Sequence, residues 1–382
     1  MKLLRLLVLF VLLPGVPAAA QDAPKPAYYG VWKGAIGAYP VMVCLDEDGL
    51  GQARGAYYYL SHLSPIGLAG RDDGPDWDER ANDDASGARW HGVAVKGDTL
   101  SASWMQGKKI LPVRLARQKF VTKDDYDGPC MGDAFIAPRA GGGNVTSTDA
   151  SFEGTAYRKL SYVPGKQFGE DGGSVETIAL VSDAPGDRAI NALLAQDLPD
   201  GGWRSDFIQC LSFEVANSGS DGYFNLAIEP DLITPRWLDV SVGNENSCGG
   251  AHPNAWSSFR TFDRASGKEV DLFRWLTDKA VAHVAGDRPE DAYDTVLPPL
   301  RDLALAHRPD DADGDDPDCA EASNDADFWR LGLARDGLRM IPSLPHVLEA
   351  CAATYVVPWA ELAPYLSDAG REGVAALKAG RS

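Results

Sequence analysis

The sequence lacks the short motifs that mark the common reaction chemistries. No G-x-S-x-G elbow presents a serine, no H-E-x-x-H sets two imidazoles on one helix turn, and neither a P-loop nor a G-x-G-x-x-G before a helix occurs. These absences remove the corresponding hydrolase, metalloprotease, nucleotide and dinucleotide readings, but not glycosidase-type carboxylates, which leave no spacing signature. No C-x-x-C pair is present, so thiolate metal sites are disfavoured. Beyond the first twenty residues no apolar run is long enough to span a bilayer. Positive charge is also scarce, with 36 Lys and Arg against 55 Asp and Glu, a net charge of -19. A surplus of carboxylates repels nucleic acid and anionic surfaces, whereas it speeds encounter with a cationic protein and serves solubility.

What is present is a chain of 382 residues, 45% of them apolar, enough to bury a core and consistent in length with two or three domains. Its first twenty residues read as a signal peptide: basic Lys2 and Arg5, an apolar run from Leu6 to Leu13, and Ala18-Ala19-Ala20 as the cleavage site. Cleavage near Ala20 implies a periplasmic or secreted mature protein with no transmembrane segment. All six cysteines lie beyond that point, and an even number in an oxidising compartment predicts disulfides. Taken in chain order, the expected partners are Cys44 with Cys130, Cys210 with Cys248, and Cys319 with Cys351.

Residues 22–140 hold 16 acids and 14 bases, while residues 141–382 hold 39 acids and 20 bases. The charge imbalance therefore belongs to the second part of the chain. Before it, short period-two runs such as "GVWKGAIG", "YPVMVCL", "RGAYYYL", "IGLAG", "RWHGVAV", "TLSASW" and "LPVRLA" alternate with turns, predicting an antiparallel meander closed as a barrel or stacked as a sandwich over residues 23–137. Trp32, Tyr57, Tyr59, Trp90 and Trp104 are expected to fill its interior. The small, polar stretch around "GGGNVTSTD" predicts a flexible linker at 138–151. Residues 152–370 mix signals: a strand in "SVETIAL", an amphipathic helix from about Asp187, strands at "CLSFEVAN", "YFNLAIEP", "WLDVSVGN" and "SFRTFDR", a helical block from Leu272 to Ala306, strands in "DFWRLGLARDGLRMIP" and "ATYVVPW", and a last helix near "AELAPYL". Without a repeating βα rhythm, this predicts an α+β domain with a mainly antiparallel sheet.

The segment "NENSCGGAHPN", Asn244 to Asn254, holds the densest set of polar candidates. His252 is a possible acid, base or ligand, yet no helical spacing supplies it with companions, and Gly249, Gly250 and Pro253 predict a tight β-connection. The reading without chemistry makes His252 a loop residue bonded to backbone. Asp311, Asp313 and Asp315 suggest calcium, but counting from Asp311 the glycine and glutamate positions of an EF-hand loop fall on Asp316 and Ala322. A solvated acidic insertion accounts for them, and no cofactor is expected.

The succession "CGGAHPNAWSSFRTFDRASGKEVDLFRWL" is similar to a hallmark of the extracytoplasmic domain of RsiV-type anti-sigma factors, also found at the front of PdaC-type deacetylases. Gly249 to His252 match its glycine-rich turn, Phe259 to Phe262 its strand, Asp263, Gly267 and Lys268 its hairpin turn, and Leu272 with Phe273 its helix entry. "GLRMIPSLPHVLEACAATYVVPWAELAPYL" resembles the closing strands and final helix of that family, through Val357, Pro358, Leu362, Tyr365 and Leu366. The resemblance covers residues 152–366. It implies a non-catalytic binding module, and in RsiV-type members the ligand is lysozyme. Gly249, Gly250, His252, Asn254 and Trp256 are then the candidate contact residues, with Tyr223 and Trp237 as further candidates in sequence. Two other classes compete: an envelope hydrolase using Glu245 and His252, and a structural protein whose β domain meets another envelope component.

Overall fold

The computed structural model describes residues 24–379 apart from 49, 73, 82–83, 170–171, 250–251, 287, 289–290 and 310–316. The expected signal peptide, Gly250 and the aspartates Asp311, Asp313 and Asp315 lie outside the described residues. The architecture is α+β.

Eight antiparallel strands close a barrel in simple up-and-down order: β1 (Gly30–Ile36), β2 (Tyr39–Glu47), β3 (Ala53–Tyr59), β4 (Ile66–Gly70), β5 (Trp77–Ala81), β6 (Asp84–Lys96), β7 (Thr99–Gln106) and β8 (Lys109–Gln118). Period-two alternation sends one side chain in two inward, and the interior of an eight-stranded barrel is just wide enough to be filled by them. Trp32, Tyr57 and Trp90 are fully buried there, as the aromatic pattern predicts. Trp77, Trp90 and Trp104 stand in register across β5, β6 and β7, so three indoles line one wall. An inward carboxylate of this wall, Glu79, accepts the Tyr57 hydroxyl at 2.6 Å and the Trp104 indole N–H.

The stretch expected as a flexible linker is ordered structure. It continues helix α1 (Asp133–Ala140) into strand β9 (Asn144–Phe152), the edge of a second sheet. Its small polar composition reflects an exposed edge, where β-branched Thr and Val suit a strand without needing burial. The second sheet has the order β15-β14-β13-β12-β11-β10-β9, adding β10 (Thr155–Val163), β11 (Gly173–Leu180), β12 (Tyr223–Ile233), β13 (Trp237–Ser247), β14 (Asn254–Asp263) and β15 (Lys268–Glu269). Only β11 and β12 run parallel, over Gly173–Glu176. Helix α2 (Pro185–Leu194) packs Ile190 and Leu194 on Val240, Val242 and Phe262 of one face.

"CLSFEVAN" is helical, not extended: helices α3 (Asp206–Phe213) and α4 (Val215–Ser218) occupy it. Ser205 caps α3 by accepting from the Ile208 N–H, and Phe207, Ile208, Leu211 and Val215 recur at helical spacing, a pattern visible only when the residues upstream of Cys210 are included. The expected helical block from Leu272 to Ala306 is also corrected. A short 3₁₀ turn (Leu272–Trp275) leads into the hairpin β16 (Val281–Val284) and β17 (Tyr293–Val296), and only α5 (Pro298–Leu305) is helical. Helix α6 (Pro317–Asp325), the small sheet β18 (Trp329–Leu333), β19 (Gly337–Pro342) and β20 (Tyr355–Pro358), and helices α7 (Trp359–Leu362) and α8 (Asp368–Ala379) complete the chain. Trp275, Trp329, Tyr355 and Trp359 form their core, joined by Trp237 from β13.

Barrel and sheet are not two beads on a string. One apolar cluster contains Val31, Met42, Ala56 and Tyr58 from the outside of the barrel, Phe135 and Ile136 from α1, and Val175, Phe207, Ile208 and Leu211 from the second part. Backbones touch as well: a Cβ on Gly67 of β4 would fall 2.6 Å from the Cα of Gly219, which ends α4 with φ +80°. At the centre of this seam Arg139 is fully buried. Its Nη2 donates to both Asp221 oxygens at 2.7 and 2.6 Å, and its Nε donates to the Leu63 carbonyl at 2.7 Å. The guanidinium also lies 5.1 Å from the Phe168 ring centroid and 5.7 Å from that of Tyr58. Three disulfides, Cys44–Cys130, Cys210–Cys248 and Cys319–Cys351, match the pairing expected from chain order.

Removing one member of a buried ion pair strands the other. Arg139→Met should therefore lower the unfolding free energy by about 3–5 kcal/mol in a denaturant titration, and adding Asp221→Leu should recover much of that loss.

Candidate functional site

Alternation along β13 and β14 gives the sheet two unlike faces. Val240 and Val242 face α2, while Trp237, Asp239, Gly243 and Glu245 alternate onto the other side. The C-terminal subdomain covers only part of that second face. Asp239 holds it in place: its carboxylate accepts the Leu333 N–H at 2.8 Å, the Thr261 hydroxyl and an Arg339 N–H. Arg339 also pairs with Asp231 at 2.6 Å. Burial pushes the Asp239 carboxyl up to about 7, against the pull of Arg339, Thr261 and the Leu333 amide.

Beyond this anchor the face is open and forms a groove of about 540 Å³. Small residues make its floor, among them Ala227, Gly243, Ala255 and Ser257, and a Cβ on Gly243 would meet nothing within 4 Å. Three carboxylates border it: Glu176, Glu245 and Glu349. Glu176 is paired with Lys159 at 2.6 Å, and Glu349 accepts from Arg330 at 2.9 Å. Glu245 is exposed and forms no ion pair among the described residues. Trp256, 36% exposed, borders it through its backbone, since it stands opposite Asn244 and its side chain alternates onto the α2 face.

The sequence candidates are divided by this arrangement. Trp256 and Glu245 line the groove. Gly249 shapes the turn beside it: with φ +95°, its Cβ would fall 2.0 Å from the Phe213 ring. The Cys210–Cys248 disulfide ties that turn to α3. Asn254 is exposed and stands opposite Asn246 in the β13–β14 register. His252 is exposed, and its ring lies 6.2 Å from that of His346, with the two planes nearly parallel. That neighbour is an imidazole and not the orienting carboxylate that an acid-base histidine uses. Tyr223 is half-buried, and Trp237 is core, 5.2 Å from Trp275. Sequence reading missed Glu176 and Glu349, which are some seventy residues or more from the motif on either side and reach the groove only through sheet order and the turn after β19. Among the described residues, no group of three His, Cys, Asp or Glu side chains converges to hold a metal ion.

No protein-family model matches this sequence, and no curated protein matches it. Among solved structures, the chain is similar to a DUF3298 family protein from Pseudomonas aeruginosa PAO1, with 12% identity over 59% of this chain and 94% of that one and a TM-score of 0.33. It is also similar to a DUF3298 family member from Bacteroides fragilis NCTC 9343, with 11% identity over 63% and 99% of the two chains and a TM-score of 0.36. The structural neighbours thus belong to a domain family of unknown function.

Asp239 sets a pH dependence whose sign follows from its shift. Its carboxyl ionises near 3.8 when unfolded and near 7 when folded, so folding takes up a proton between those values. Its stabilising contribution is complete below about pH 4 and declines as pH rises through 7, by at most about 1.4 kcal/mol per pH unit. Unfolding curves measured from pH 4 to 8 should show that slope, and Asp239→Asn should flatten it.

Proposed function

We infer that this chain is an exported binding protein of the bacterial envelope that performs no reaction on its ligand, and that the groove bordered by Trp256, Glu176, Glu245 and Glu349 receives a basic segment of a cationic protein. The observation that carries this reading is the groove itself: the unpaired carboxylate of Glu245 on an open, small-residue floor, in the part of the chain that holds 39 acids and 20 bases. An arginine or lysine entering it would find Glu245 without a competing cation. Three disulfides suit an oxidising compartment, and no helix of the described residues is long and apolar enough to cross a membrane. The resemblance of residues 152–366 to RsiV-type domains makes a lysozyme-like protein the first candidate.

The test is binding of the mature chain to egg-white lysozyme, followed by titration calorimetry at rising salt. Affinity should fall with ionic strength, because exposed charge pairs are screened over about 8–10 Å at physiological salt. Glu245→Gln should weaken binding and reduce its salt dependence, whereas Trp256→Ala, on the opposite face of the sheet, should change affinity little. Failure to bind lysozyme and other basic proteins at low salt, combined with product release from peptidoglycan that His252→Ala abolishes, would replace this reading with the hydrolase.

A further inference from the structure

The cationic residues of the barrel are not spread evenly. Residues 99–123 contain six Lys and Arg and no carboxylate, although the whole chain carries a net charge of -19. This run forms β7, β8 and the segment after them. Lys33 stands opposite Ala116, and Arg114 stands opposite Ala35 and Ser101, so Lys33 and Arg114 are diagonal neighbours on the outside of the barrel. Lys33, Arg114 and Lys108 are exposed, and none forms an ion pair among the described residues. The Lys109 ammonium lies 6.0 Å from the Tyr39 ring centroid, which sets the β1–β2 and β7–β8 hairpins side by side at one end of the barrel. Ile110 and Tyr39 are 60% and 54% exposed there. The helices that join barrel to sheet pack elsewhere, against Met42, Ala56 and Tyr58 of β2 and β3.

We propose that this end of the barrel docks on an anionic lipid surface. Two adjacent hairpins offer an aliphatic side chain and a tyrosine to the interfacial layer, and lysines and an arginine on the same side reach the headgroup phosphates. A soluble polyanion would use the cations but would leave Ile110 without a role. The nearest opposition by topology is Asp84 of the β5–β6 hairpin, which the up-and-down order places at the same end of the barrel; its effect is screened beyond about 8–10 Å at physiological ionic strength. Docking through the barrel attaches the protein to a membrane face, and the inference is independent of what the groove binds.

The experiment is co-sedimentation of the mature chain with vesicles of phosphatidylcholine alone or mixed with phosphatidylglycerol. Binding is expected to the mixed vesicles only and to decline with salt. Lys108→Gln with Lys109→Gln should lower the partition coefficient about 25-fold, roughly fivefold for each lysine removed. Ile110→Ser should lower it about tenfold. These side chains are exposed, so melting temperatures should stay unchanged, and lysozyme binding by the lysine variant should match that of the wild type. The proposal is overturned if mixed vesicles are not bound at low salt, or if the lysine and isoleucine variants bind as well as wild type. Equal retention on dextran sulfate with no effect of Ile110→Ser would overturn it in favour of a soluble polyanion.

Discussion

The structure depends on one buried cation. Arg139 reaches from α1 into the seam where barrel, helix and sheet meet, and every group around it comes from a different part of the chain: Leu63 from the barrel, Phe168 from the turn before β11, Asp221 from the loop before β12. A guanidinium with no exposure must find its partners inside, and both Asp221 oxygens accept from its Nη2. Burial raises the Asp221 carboxyl, and Arg139 opposes that rise. Barrel and sheet therefore share a common apolar cluster packed around a buried ion pair.

That rigidity gives the open face of the sheet its shape. The C-terminal subdomain is pinned to β13 through Asp239 and Arg339, so the groove ends where the subdomain begins. At the other end, the Cys210–Cys248 bridge and the close approach of Gly249 to Phe213 hold the turn next to Trp256. A preformed groove loses less freedom on binding than one assembled from loose loops. The charge layout adds polarity to this frame: carboxylates gather around the sheet, while the unpaired cations of β1 and β8 occupy the outside of the barrel.

Much of the barrel was legible because its signals are local. Seven of its strands were readable as period-two runs between turns, and the inward tryptophans announced themselves by spacing. Strand β5, "WDERA", was missed because its inward positions include Glu79, a carboxylate where the alternation calls for an apolar residue. Strand β9 was missed for the opposite reason: as an exposed edge it has no apolar face to betray it. In the site, Gly249, Trp256 and Glu245 could be found because they share one β-connection, whereas Glu176 and Glu349 carry no mark of their own.

From the sequence alone came the features that depend on near neighbours or on composition: the meander, the α+β mixture, the uneven charge and the three disulfides closed in chain order. The tertiary structure decided everything that needs distant residues in contact. The stretch expected as a flexible linker became the end of α1, whose apolar side chains pack into the seam, and strand β9, whose backbone pairs with β10. His252 came to lie beside another imidazole, and carboxylates from three separate segments came to border one groove, because strand order and the Asp239 anchor, not sequence spacing, set which side chains share a face.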